Sequence, residues 1–345
     1  MRKVFLAIIL MLGILLILFS FSEIQEISKA LLHGNMYLIG MGILVELIWL
    51  FNLGITFKSL YKLMGIKENS GHLFWVASGA NFINVVAPSA GIGGITIFLD
   101  DAKRRNHPSG RVTVIGALFV LYDYLAFLCI LALGWVVLIR RNHINPGEIT
   151  ASFILLGLAI GLSVILYLGY KSNERLTNFL LKVVRIINRV LKPIVHRPYL
   201  KEEDARRFAM EISDGLHTVK GKRKDLVWPF LFSLNNKVIL CIILAICFFT
   251  FQIPFTIGTL VAGLSIGYLF LIVSPTPAGL GFVEGALTIT LNTLRVPLGS
   301  AILITLTYRA ITFWFPLAVG ALALRVLKID QKIEEKGKVD LQDIP

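Results

Sequence analysis

The chain has 345 residues, of which 56% are hydrophobic and only 16% charged, with a mean hydropathy of +0.77. A soluble domain needs more surface charge than that, and strand-type alternation is missing, so soluble folds and membrane β-barrels are both excluded. The formal charge of +13 would suggest nucleic acid in a soluble protein, but the basic residues gather in a few loops, as cytoplasmic loops of membrane proteins do, and no nucleic-acid partner is expected.

The first apolar block, Val4 to Phe21, follows Arg2 and Lys3. It is longer than a signal-peptide core and no small-x-small cleavage site follows, so it reads as a transmembrane helix leaving the cytoplasm. A second, Met36 to Phe57, returns to a loop holding Lys58, Lys62 and Lys67. His72 to Leu99 is polar-spotted and broken by Pro88, Gly91, Gly93 and Gly94, and it ends at Lys103, Arg104, Arg105 and Arg111. Both its ends therefore read as cytoplasmic. Two half-helices that dip in and return, or two short crossings, fit equally.

The third full helix, Val112 to Ile139, goes out and the fourth, Thr150 to Tyr170, returns, which leaves Arg140 and Arg141 outside against the charge rule. Lys171 to Lys224 is the long polar segment, with 14 Lys or Arg against 6 Asp or Glu. Leu176 to Leu191 within it is amphipathic, suited to the inner leaflet or to packing as a solvated connector. The fifth helix, Leu226 to Phe251, goes out. Phe255 to Leu291 is a second broken stretch, interrupted by Pro275, Pro277, Gly279, Gly281 and Gly285. The sixth, Ala301 to Leu327, runs inward to Arg325, Lys328, Lys332 and Lys336, and the polar tail from Asp330 is expected to fray.

The expected fold is an all-α polytopic membrane protein with about six full transmembrane helices and two broken or re-entrant hairpins, both termini lying in the cytoplasm. Ala90-Gly91-Ile92-Gly93 in the first broken stretch matches Ala278-Gly279-Leu280-Gly281 in the second, and an apolar helix precedes each. With the orientations above, the two units form an inverted repeat, the pattern in which discontinuous helices mark a transporter's binding site. One membrane domain results: residues 1–35 as first helix and external loop, 36–139 as repeat 1, 140–225 as linker, 226–327 as repeat 2 and 328–345 as tail.

Five ionisable residues fall far from the ends of apolar blocks: Glu46, Asp123, Lys237, Glu284 and Arg309. Each such charge costs roughly 2.5–3.5 kcal/mol at a helix centre, so they must face the interior, pair, or serve a cavity. Salt bridges stapling the two halves are one reading and a substrate cavity is the other. Half-helices starting after Pro88 or Pro277 would aim unpaired N–H groups inward, and Gly91, Gly93, Gly279 and Gly281 would let a ligand approach the backbone. Cys129, Cys241 and Cys247 sit inside apolar blocks and read as core residues. No histidine has metal-ligand spacing, and neither metal nor cofactor is expected.

Ser274-Pro-Thr-Pro-Ala-Gly-Leu-Gly-Phe-Val-Glu-Gly-Ala-Leu287, followed by Tyr308-Arg309, resembles the membrane region of lysylphosphatidylglycerol synthase/flippase proteins. Asn84-Val-Val-Ala-Pro88 and Tyr122-Asp123 fit it more loosely. The resemblance implies a lipid flippase or scramblase moving a phosphate-containing, in some members aminoacylated, headgroup across the cytoplasmic membrane. It marks Pro277, Gly279, Gly281, Glu284, Tyr308, Arg309 and Asp123 as site positions. An Arg that members commonly carry a turn before that Asp is replaced here by Phe119 and Val120. Synthase activity in bifunctional members belongs to a separate soluble domain, which is not seen up to Pro345, so no enzyme activity is expected. The partners implied are membrane phospholipids or other phosphate-bearing lipids, with a homo-oligomer or a separate lipid-modifying enzyme as protein partners. The alternatives are an intramembrane enzyme or a scaffold acting on polyprenyl-phosphate-linked lipids or phospholipids.

Overall fold

The computed structural model describes residues 25–28, 30–86, 93–141, 146–195, 201–219, 221–222, 224–274 and 276–342. The predicted first span, Val4 to Phe21, and site positions Pro88 and Gly91 lie outside them. Every regular element described is helical. In chain order these are α1 (Met36–Leu63), α2 (Ser70–Val86), α3 (Ile95–Arg104), α4 (Ser109–Arg140), α5 (Pro146–Lys171), α6 (Asn173–Val195) and α7 (Glu202–His217). Then follow α8 (Val227–Thr250), α9 (Ile257–Val273), a 3-10 turn (Pro277–Gly279), α10 (Phe282–Thr293), α11 (Leu298–Arg309), a π turn (Ala310–Trp314) and α12 (Phe315–Gln342). Among the described residues α1, α4, α5, α8 and the rod Leu298–Lys328 are long and apolar enough to cross a bilayer, which makes this a multi-pass membrane protein.

The two broken stretches behave differently from the spans. At 1.5 Å per residue, α2 and α3 are only about 25 and 15 Å long, short of the ~30 Å hydrocarbon core. His72, at the start of α2, hydrogen-bonds Asp101, near the end of α3, at 3.0 Å. Glu68 accepts from His107 at 2.7 Å and from Arg105 at 3.5 Å. The hairpin therefore starts and finishes at one place, stapled by this ion cluster. At its tip the Gly94 N–H donates to Asn84 Oδ1 at 2.5 Å, and a Cβ on Gly94 would stand 2.7 Å from the Ala80 carbonyl. In the second hairpin, α10 lies back along α9, with Leu287 and Leu291 against Gly263. Its two ends, Thr256–Thr259 and Thr293–Val296, line one crevice.

The hairpin bases lie at opposite ends of α4. Arg111, early in α4, donates to the Met64 carbonyl beside the first base, and Arg141, just past its end, donates to the Leu294 carbonyl at the second. Helix directions follow the same rule. Asn35 N–H bonds Thr250 O while Lys222 Nζ bonds Leu63 O, so α1 and α8 run antiparallel. Asn52 Nδ2 clamps the same pair midway, on Asn236 Oδ1 at 2.7 Å. Along α4 and α9, Asp123 meets Tyr268, Ile130 meets Ser265 and Val137 meets Gly258. Across α2 and α12, Gly79 faces Leu324 and Gly320 faces Phe82. Each hairpin's first arm thus packs antiparallel on the long helix of the other half.

Three expectations need correction. The half-helices begin at Ile95 and Phe282, behind Gly94 and Gly281, rather than directly after the prolines, because the glycines supply the tight approach and the positive φ that the reversals require. The first stretch continues as helix through Arg104. The polar tail stays helical to Gln342, since its Glu, Lys and Gln residues are good helix formers. In the polar segment, Leu176 of α6 joins Ala209, Ile212 and Leu216 of α7 in the core, so this end of α6 packs on protein. Ile186 remains exposed.

A Cβ at Gly320 would meet the Ser78 carbonyl at 2.7 Å, whereas Gly157 has nothing within 4 Å. Gly320→Leu should therefore cost about 1–3 kcal/mol or more by prising α12 from α2, and Gly157→Leu should be neutral. Thermal unfolding of the purified protein in detergent checks both.

Candidate functional site

A cavity of about 570 Å³ opens where the two hairpin tips meet the long helices. Asn81, Asn84 and Gly94 reach it from the first hairpin, and Ser274, Thr276 and Ala278 from the second. Asp123 of α4, Tyr268 of α9 and Tyr308 and Arg309 of α11 complete its polar wall. Trp49 also lines it, with an indole N–H that has no hydrogen-bond partner. The rest is apolar. Phe119 stacks on Phe57 at 4.4 Å where relatives of the resembled family commonly carry an arginine. The volume falls in the range of small-molecule sites, roughly 300–1,000 Å³.

Lys237 of α8 is 1% exposed, deep in the domain. Its Nζ donates to Asp123 Oδ1 and to the Tyr268 hydroxyl, both at 2.5 Å, and that hydroxyl donates in turn to Asp123 Oδ2 at 2.9 Å. The triad ties α4, α8 and α9 together and neutralises a charge that hydrocarbon cannot hold alone. Asp123 lines the cavity and Lys237 stands behind it.

Arg309 is oriented by its own surroundings. Nε donates to Glu284 Oε1, Nη2 donates to the Ala278 carbonyl at 3.2 Å, and the guanidinium lies 4.2 Å from the Phe313 ring centroid. Nη1 makes no hydrogen bond to a described residue. The π turn starts directly after Arg309, with Phe315 N–H reaching back to Ala310 O, and such bulges recur at functional sites. Opposite it, the second hairpin reverses through Ala278, Gly279 and Gly281 with φ of 51°, 70° and 80°. A non-glycine residue such as Ala278 holds that conformation only where its surroundings fix it, and here its carbonyl is held by Arg309. Thr276 Oγ1 donates to Leu280 O at 3.0 Å and closes the same turn.

The sequence-derived site residues thus divide. Asp123, Tyr308 and Arg309 share the cavity, and Glu284, Pro277, Gly279 and Gly281 build the turn beside it. Gly93 sits in the tip turn, its carbonyl accepting from Thr96 Oγ1 at 2.6 Å. Lys237 and Glu46 do not line the cavity. Lys237 is covered by its partners, and Glu46 is buried on α1, within electrostatic range of Tyr308, with neither carboxylate oxygen hydrogen-bonded. Glu284 Oε2 is likewise without a partner. Tyr268, Asn81 and Asn84 were missed. Their signal is a polar group inside an apolar helix, which is weaker than a charge but obeys the same desolvation rule.

The family model described as "Lysylphosphatidylglycerol synthase TM region" matches residues 4–320. No curated protein and no solved structure matches the chain. The chain belongs to the lysylphosphatidylglycerol synthase TM region family.

Removing one partner of a buried pair costs more than the pair contributes, because the other charge is stranded. Asp123→Leu should lower stability by about 3–5 kcal/mol, while Asp123→Leu combined with Lys237→Met should regain most of it. Thermal unfolding of both variants in detergent tests this, and equal losses in the two would show that the stranded ammonium is not what destabilises Asp123→Leu.

Proposed function

We propose that this protein is a lipid flippase- or scramblase-like transporter that moves a phosphate-containing lipid headgroup, aminoacylated headgroups included, across the cytoplasmic membrane. The reading rests on one observation above the others: two hairpins entering from opposite ends of α4 bring their tips to a single polar cavity that holds Arg309 with one free nitrogen. Opposed hairpins with antiparallel counterparts are what an inverted repeat produces, and its centre is where a substrate is held while access alternates. Family membership supports the same assignment.

In this mechanism the acyl chains stay in lipid and only the headgroup enters the cavity. Arg309 Nη1 takes a phosphate oxygen, and the Asn84 side chain offers a further donor. Asp123 faces a cationic group of the headgroup where one is present. Glu46 and Glu284 Oε2, which lack partners, are the groups placed to carry protons if the transport is ion-coupled. The apolar wall at Phe119 selects against a second anionic group on that side, since nothing there compensates it.

The basic residues of Lys171–Lys224 and the first hairpin base set the orientation, with that face cytoplasmic. In a background lacking Cys129, Cys241 and Cys247, a cysteine at Lys201 should label only from the cytoplasm and one at Gly299 only from outside. The reverse pattern sinks the orientation. For the transport step, Arg309→Ala in proteoliposomes should abolish translocation of a fluorescent phospholipid while the protein still inserts and folds. Arg309→Lys should recover little, because a point-like ammonium lacks the planar fork that reaches Glu284, the Ala278 carbonyl and a phosphate from separate nitrogens. Normal transport by a less stable Arg309→Ala protein would instead make the arginine a structural staple.

A further inference from the structure

A second cavity, of about 630 Å³, lies at the base of the α9–α10 hairpin, on the face opposite the polybasic one. Its lining includes Arg140, Arg141 and Arg295 and the hydroxyl residues Thr256, Thr259 and Thr293, with no carboxylate among the described residues. None of the three arginines forms an ion pair with a described residue. Arg141 spends one nitrogen on the Leu294 carbonyl, at 3.4 Å. These are all the described Lys and Arg residues in the connections of that face, and they come from two segments far apart in sequence. Charge bias disfavours basic residues there, and three guanidiniums around one hollow repel each other unless an anion joins them. Arg295 is also held at φ 71°, a left-handed conformation uncommon for a long side chain. The turn enforcing it is closed by Arg295 N–H to Asn292 O and Val296 N–H to Leu291 O, both at 3.0 Å.

We infer that this cavity is a binding site for a phosphate-type anion, distinct from the central cavity and independent of whether the protein transports lipid. Arg140, Arg141 and Arg295 supply planar donors suited to phosphate oxygens, and Thr256, Thr259 and Thr293 line the rest. Asp123 lies 17 residues before Arg140 on the same helix, so the two cavities are about 25 Å apart along α4. The anion is either the phosphate of a lipid in the adjoining leaflet or a free phosphate.

Calorimetric titration of the full-length protein in neutral detergent, with inorganic phosphate and separately with dihexanoyl phosphatidic acid, tests the inference. At least one probe should bind, and R140Q/R141Q/R295Q should weaken that binding tenfold or more while its melting temperature stays at the wild-type value. R140K/R141K/R295K should retain part of the binding. Binding of the lipid alone identifies a lipid phosphate as the ligand, and comparable binding of both probes means that the phosphate group suffices. Absence of binding by either probe, or binding that survives R140Q/R141Q/R295Q and disappears in Arg309→Lys, overturns the site.

Discussion

A lysine ammonium held at 1% exposure inside a membrane domain dictates much of what surrounds it. Water cannot reach Lys237, so its charge must be met by protein. Asp123 and Tyr268 meet it from two other helices, each bonded to the ammonium and to one another. This closed triangle fixes how α4, α8 and α9 sit laterally. Because the triangle consumes the lysine entirely, only the acid side of the pair is presented to the cavity. Buried ion pairs add little to stability once desolvation is counted, so what the triad contributes is a fixed arrangement of three helices and a defined charge on the cavity wall.

The same accounting governs the broken backbone. Irregular chain at membrane depth survives only where protein or a polar cavity satisfies its N–H and C=O groups. The first tip uses Asn84 for the Gly94 N–H, and the second uses Arg309 for the Ala278 carbonyl and Thr276 for that of Leu280. Arg309 therefore serves the turn, the Glu284 carboxylate and the cavity together. A change at Arg309 reaches backbone shape as well as charge, which is why a conservative lysine is a sharper probe than alanine.

Charge is also partitioned between the two ends of the bundle. At one end, Glu68, His72, Asp101, Arg105 and His107 hydrogen-bond one another across the first hairpin base. At the other, the second hairpin base offers arginines with no acid among the cavity's lining residues. Two hairpins of similar build thus end in opposite electrostatics: one base is closed by protein, and the other is open to an anion.

Much of this was legible in the sequence. Hydropathy marks the spans because the cost of placing a residue in hydrocarbon depends on that residue and its immediate neighbours. The same logic singled out Asp123, Lys237, Glu284 and Arg309 as charges that must be accommodated, and the Pro-Gly clusters as breaks. What the sequence by itself could not decide was which charge meets which, or which of them a ligand can reach. Asp123 pairs with Lys237, Arg309 pairs with Glu284 and Glu46 has no hydrogen-bonding partner among the described residues. Nor did it reveal that Arg141 and Arg295, far apart along the chain, share a hollow. Those outcomes depend on lateral packing, where glycines such as Gly94, Gly263 and Gly320 set how closely two helices approach. Insertion energy is local along the chain, but pairing energy depends on distances between segments, and only the folded bundle sets those.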